Sequence, residues 1–125
     1  MSQSWDGGCL CGAVRFRAEG APKWTIWCHC QSCRKHSGAP VSVFAAFDEA
    51  MVKVATGEIA MFTSSPGVRR GFCANCGSTL TCGGDRSPGE LHIHIGAFDQ
   101  PERLAPMAEV YPEERLPWVH LGKAD

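Results

Sequence analysis

Short runs in which apolar and polar residues alternate, each closed by glycine or proline, make up most of the chain. Val14 and Phe16 alternate with Arg15 and Arg17, the period-two signature of a half-buried strand, and Gly20-Ala21-Pro22 ends it. Trp24 to Trp27 reads as a second strand. Val41 to Phe47 is apolar enough for a core strand, and Val52 and Val54 alternate into another. After a turn at Thr56-Gly57-Glu58, Ile59 to Thr63 continues the sheet. Ser64-Ser65-Pro66-Gly67 reverses the chain, because proline presets φ at the second turn position and glycine accepts the positive φ of a type II turn. Val68 to Phe72 is then the returning strand. Thr79 to Cys82 supplies another, and beyond the flexible run Gly83–Gly89, Leu91, Ile93 and Ile95 alternate with Glu90, His92 and His94. Cys30 to His36 has room for one or two helical turns, stopped by Ser37-Gly38 with Pro40 beyond. The stretch from Pro101 to Pro117 carries four prolines and reads as irregular, with Val110, Tyr111 and Trp118 as its anchors on the core.

The pattern predicts a mainly β protein with little helix. At 125 residues it is expected to form one domain, 1–125, able to bury roughly two-thirds of its unfolded surface. Twelve basic residues against thirteen acidic ones give a net charge of -1, which offers no footprint for nucleic acid. No apolar run approaches the roughly 20 residues of a membrane span. The opening Met-Ser-Gln-Ser-Trp-Asp-Gly-Gly lacks a basic or apolar leader, so a cytoplasmic protein is expected.

Eight cysteines change the picture. In a reducing compartment their close spacings point to metal rather than to disulfides. Cys9-Leu10-Cys11 between glycines and Cys73-Ala74-Asn75-Cys76-Gly77 are two knuckles whose four thiolates complete the shell of a structural zinc. Strand, knuckle, strand around the second of them is the zinc-ribbon pattern. Cys28-His29-Cys30-Gln31-Ser32-Cys33 puts three more thiols within six residues, at a strand-to-helix junction. Three protein ligands leave a tetrahedral ion one position for water or substrate, and an electron-rich thiolate site suits thiol capture better than hydrolysis. The same three cysteines closed by Cys82 or a histidine would instead make a second structural site and the chain a non-catalytic zinc-binding interaction module; a thiol- or metal-handling protein is the third reading.

Arg34 and Lys35 follow directly, either as support for a thiolate or substrate carboxylate or as solvated surface. His29 is placed to hydrogen-bond a sulfur or to pack locally. His92 and His94 have the spacing of a His-x-His metal pair, but polar positions on a strand's exposed face are the simpler expectation. Cys82 reads as a small buried apolar residue.

Three stretches carry a resemblance: Gly-Gly-Cys-Leu-Cys-Gly-Ala-Val-Arg-Phe at 7–16, Cys-His-Cys-Gln-Ser-Cys-Arg-Lys-His-Ser-Gly-Ala-Pro at 28–40, and Ser-Ser-Pro-Gly with Arg-Gly-Phe-Cys-Ala-Asn-Cys-Gly-Ser across 64–78. The chain resembles the glutathione-dependent formaldehyde-activating enzyme family, whose relatives include centromere protein V. The resemblance implies a β-tent fold of small antiparallel sheets around a structural zinc on Cys9, Cys11, Cys73 and Cys76. It also implies a catalytic zinc at Cys28, Cys30 and Cys33, two ions in all. The implied activity is that of a carbon–sulfur lyase, joining a small-molecule thiol such as glutathione to an aldehyde such as formaldehyde. A homodimer stays open as its assembly. Gln31, Phe62, Cys82 and Glu109 depart from the family pattern, and Phe62 and Glu109 bear on the substrate pocket.

Overall fold

The computed structural model describes residues 3–122. Its strands are β1 (Ser4–Gly8), β2 (Arg15–Glu19), β3 (Trp24–Cys28), β4 (Ser42–Asp48), β5 (Val52–Thr56), β6 (Ala60–Ser65), β7 (Val68–Phe72), β8 (Thr79–Gly84), β9 (Glu90–His94) and β10 (Ala108–Val110). Among the described residues one α-helix, α1 (Gln31–Ser37), lies between β3 and β4, and four single 3-10 turns complete the regular structure.

The strands form a three-stranded sheet, β1-β2-β5, and a seven-stranded sheet, β10-β3-β4-β9-β8-β7-β6. All pairings are antiparallel except β10 with β3. The main core lies between the sheets: Trp5, Phe16 and Ala18 from the small sheet meet Ala45, Phe47 and Ile93 from the large one, with Phe98 and Leu104 closing the side. β4 is buried along most of its length because its two faces serve different cores. Ala45 and Phe47 face the main core, whereas Phe44 faces a smaller cluster with Ile26, Cys28 and Cys33.

Two elements depart from the sequence pattern. Ser4–Gly8, which no alternation marked, is a strand held by Trp5, whose ring is buried and whose indole donates to the Gly20 carbonyl at 2.8 Å. The proline-rich stretch is not irregular throughout: Ala108–Val110 adds a parallel strand to the edge of β3. Three residues between prolines give too short a run for alternation to register. Tyr111 and Trp118 are exposed, Trp118 at 64%, and the buried anchors are Leu104 and Val119.

Ladder partners share a face, so the register fixes what lies beside the smaller cluster. Trp24, Ala46, His92, Cys82, Arg70 and Phe62 form one row across β3, β4, β9, β8, β7 and β6. His92 and His94 thus do not occupy a solvated strand face. His94 is buried, with its ring centroid 4.3 Å from that of Phe44, because the face bearing it is covered by the smaller cluster and α1.

Candidate metal centre

The first cysteine group is built by two similar loops. In one, the Cys9 amide bonds the Val14 carbonyl and Gly12 bonds back to Cys9; in the other, Cys73 bonds Ser78 and Gly77 bonds back to Cys73. Each reversal needs a left-handed residue, supplied by Gly12 at φ 83° and Gly77 at φ 80°. These loops, 62 residues apart at Cys11 and Cys73, bring four sulfurs within 4.8 Å of one another. Cys9 and Cys11 stand 3.6 Å apart, Cys11 and Cys73 3.8 Å. A tetrahedral ion with 2.3 Å metal–sulfur bonds needs roughly 3.8 Å between sulfurs, and a disulfide about 2.05 Å, so the donor set fits a metal.

Donors are aimed at these sulfurs as they would be at thiolates. Val14 N–H lies 3.2 Å from Cys9 Sγ, Asn75 Nδ2 3.2 Å from Cys11, and Cys76 N–H 3.4 Å from Cys73. Hydrogen bonds from Ser78 hold the Cys76 thiol down at about 5.

The second group forms where β3 runs into α1. Cys28 ends the strand, Cys30 caps the helix by accepting the Cys33 N–H at 3.4 Å, and Cys33 turns inward from the first helical turn. The helix stops at Gly38, whose left-handed φ of 76° fits the expected stop signal. Cys28, Cys30 and Cys33 form a mutually close donor group, Cys28 and Cys33 standing 3.7 Å apart. Cys28 and Cys33 are buried and Cys30 is partly open. The donor set again fits a thiophilic metal, here with three sulfurs in place of four.

A cation that the sequence did not reveal completes this site. Arg70, 4% exposed, places Nη1 3.4 Å from Cys33 Sγ and Nε 3.0 Å from Ser64 Oγ. Cys33 is held at about 5, first by the hydrogen bond donated from the Cys28 thiol and then, against burial, by Arg70. Cys28, as that donor, is pushed far up, and burial adds to the effect. For Arg70 burial works against its charge, but the Cys33 sulfur more than offsets this and raises its pKa.

Arg34, expected near thiolate or substrate, instead donates Nη1 to the carbonyls of His29 and Glu114, both at 2.7 Å, tying the helix to the C-terminal stretch. Lys35 is exposed. His29 is fully buried with Nε2 2.8 Å from Glu109 Oε1, so its recorded partner is a carboxylate on β10 rather than a sulfur. Cys82 packs against the smaller core and faces the same way as Arg70, while burial raises its pKa. Phe62, opposite Arg70 on the edge strand, is 56% exposed. A cavity of about 250 Å³ lined by Arg69, Thr81 and Leu91 opens on the opposite face, away from both cysteine groups.

A family model described as glutathione-dependent formaldehyde-activating enzyme matches residues 4–114. A Halomonas elongata protein that carries the provisional name of such an enzyme is 33% identical over 93% of this chain and 80% of its own. An uncharacterized lyase of Schizosaccharomyces pombe is 32% identical over 61% of this chain, a match that spans only 55% of that relative. A crystal structure of a Rhodobacter sphaeroides protein superposes with a TM-score of 0.65 at 18% identity, covering 84% of this chain and 99% of the other, a likeness of fold.

Proposed function

Because the chain belongs to the glutathione-dependent formaldehyde-activating enzyme family, we propose that it is a zinc-dependent carbon–sulfur lyase acting on a thiol such as glutathione and an aldehyde such as formaldehyde. The product is the S-hydroxymethyl thiol. The thiol sulfur attacks the aldehyde carbon, a C–S bond forms, and the carbonyl pair moves onto oxygen, which takes up the proton that the thiol gave up.

The observation that carries this reading is the contrast between the two cysteine groups: four converging sulfurs in one, three beside a buried arginine in the other. Cys9, Cys11, Cys73 and Cys76 would hold a structural zinc, and Cys28, Cys30 and Cys33 a reactive one, two ions per chain. Zinc at the second group supplies Lewis acidity that lowers the pKa of a thiol meeting it. Three cysteine thiolates would carry three negative charges, one more than a divalent ion balances. Arg70 supplies a compensating charge at Cys33. Phe44 and Ile26 floor the site and keep water from its inner side, while Cys30 leaves the outer side open to substrate.

Substituting Co²⁺ for the second ion tests this. Thiolate-to-metal absorption bands should change on adding glutathione and stay unchanged with S-methylglutathione, which keeps the carboxylates but lacks the thiol. The loaded protein should also form adduct with formaldehyde faster than buffer alone. Cys82 lies on the same sheet face but outside the mutually close group of Cys28, Cys30 and Cys33; the rival reading is a shell closed by it as a fourth protein thiol. A spectrum indifferent to every thiol would establish that rival, a non-catalytic zinc module.

A further inference from the structure

Three polar side chains beside the second cysteine group have no part in holding metal. His36 Nδ1 lies 2.8 Å from Thr79 Oγ1, which lies 3.2 Å from His94 Nε2. They come from α1, β8 and β9, so the contact is made by the fold rather than by local sequence. We propose that His36 is the proton carrier of the thiol–aldehyde reaction, with Thr79 and His94 as the positioning residues that set its tautomer. The inference rests on the reaction proposed above.

A hydroxyl has one proton, so it can donate to one of its two imidazole partners and must accept from the other. His94 is buried against Phe44 and stays neutral, its pKa lowered to about 4 by burial. We assign His94 the neutral tautomer with Nε2 unprotonated; Thr79 then donates to it, and the Thr79 oxygen accepts from His36 Nδ1–H. That arrangement leaves the lone pair on His36 Nε2. His36 stands one helical turn beyond Cys33, and residues three apart share a helix face. The charged and titratable groups that bear on it are Arg70 from β7, the Cys33 sulfur on α1 and His94 on β9.

The proton balance then closes within one residue. As the C–S bond forms, the thiol S–H bond breaks and its proton moves to His36 Nε2. The resulting imidazolium keeps its Nδ1–H bond to Thr79 and returns the Nε2 proton to the new alkoxide oxygen. No oxidant or further reactant is needed. His94 never takes the charge, consistent with its burial.

The test uses the zinc-loaded full chain and first needs no aldehyde. Glutathione binding is followed calorimetrically at pH 7 in buffers of different ionisation enthalpy, which counts the protons released. Burial and Arg70 hold the His36 pKa below its ordinary value, so at pH 7 it passes the proton on and both wild type and His36→Asn should release about one proton per thiol bound, which establishes binding in each. In the adduct assay, His36→Asn should lower kcat about 100-fold and flatten the pH profile, at unchanged metal content. Thr79→Val should shift the acid limb to lower pH, since imidazolium loses its acceptor, and lower kcat more than KM. Thr79→Ser should restore both. A His36→Asn variant that binds glutathione with wild-type kcat and pH profile, or a ¹⁵N spectrum of the zinc-loaded wild type with the His36 proton on Nε2, would overturn the role of His36 alone. Failure of wild type to bind glutathione would remove the proposed reaction and this inference together.

Discussion

At position 70 a guanidinium buried to 4% exposure lies 3.4 Å from a sulfur, on a strand where two arginines adjoin. Neighbouring strand residues point to opposite faces, so one of Arg69 and Arg70 must turn inward. Sequence alone does not say which, and that is why the pattern gave the strand but not the cation. Arg70→Gln keeps much of the shape and removes the charge. The second group should then hold its metal about 10–100-fold more weakly, with the first group's metal unaffected, as read by chelator competition. Equal retention at both sites would show that Arg70 contributes packing only. The cysteines themselves were legible because one or two residues between thiols already constrain the turn. His92 and His94 were misread because alternation reports which residues share a face, not what covers it.

Among the elements, α1 was legible from its stop signal, and the hairpin around Pro66-Gly67 from turn chemistry. β1 and β10 were not: a five-residue strand with two glycines and a three-residue strand carry almost no periodicity of their own. They form because Trp5 and the edge of β3 need cover. Each knuckle turns on one left-handed glycine, Gly12 or Gly77. A Cβ at Gly77 would meet no atom within 4 Å, so Gly77→Ala isolates the cost of its positive φ. The variant should lose about 1–2 kcal/mol of stability and release metal from the first group sooner, while the second group is unchanged. Denaturant unfolding of the metal-loaded protein, compared with wild type, measures it.

For the whole molecule, the two cysteine groups should divide their duties sharply. Cys73→Ser opens the group that joins the N-terminal loop to the β7–β8 hairpin and should cost folding or solubility, because structural zinc in small peptides is worth about 10–16 kcal/mol. Cys30→Ser should leave a folded protein with one metal fewer and no response to thiols. Elemental analysis and circular dichroism distinguish the two, and identical unfolding of both variants would make the second group structural as well. The same division has a consequence in time. During synthesis, at roughly 5–20 residues per second, the three-thiol group is complete once residue 33 has emerged, whereas the four-thiol group waits several seconds longer for its last member. On the proposed reading, a nascent chain therefore displays its three-thiol site before the four-thiol one is complete. The order in which the ribosome delivers the two halves gives the three-thiol group the earlier chance at a metal ion.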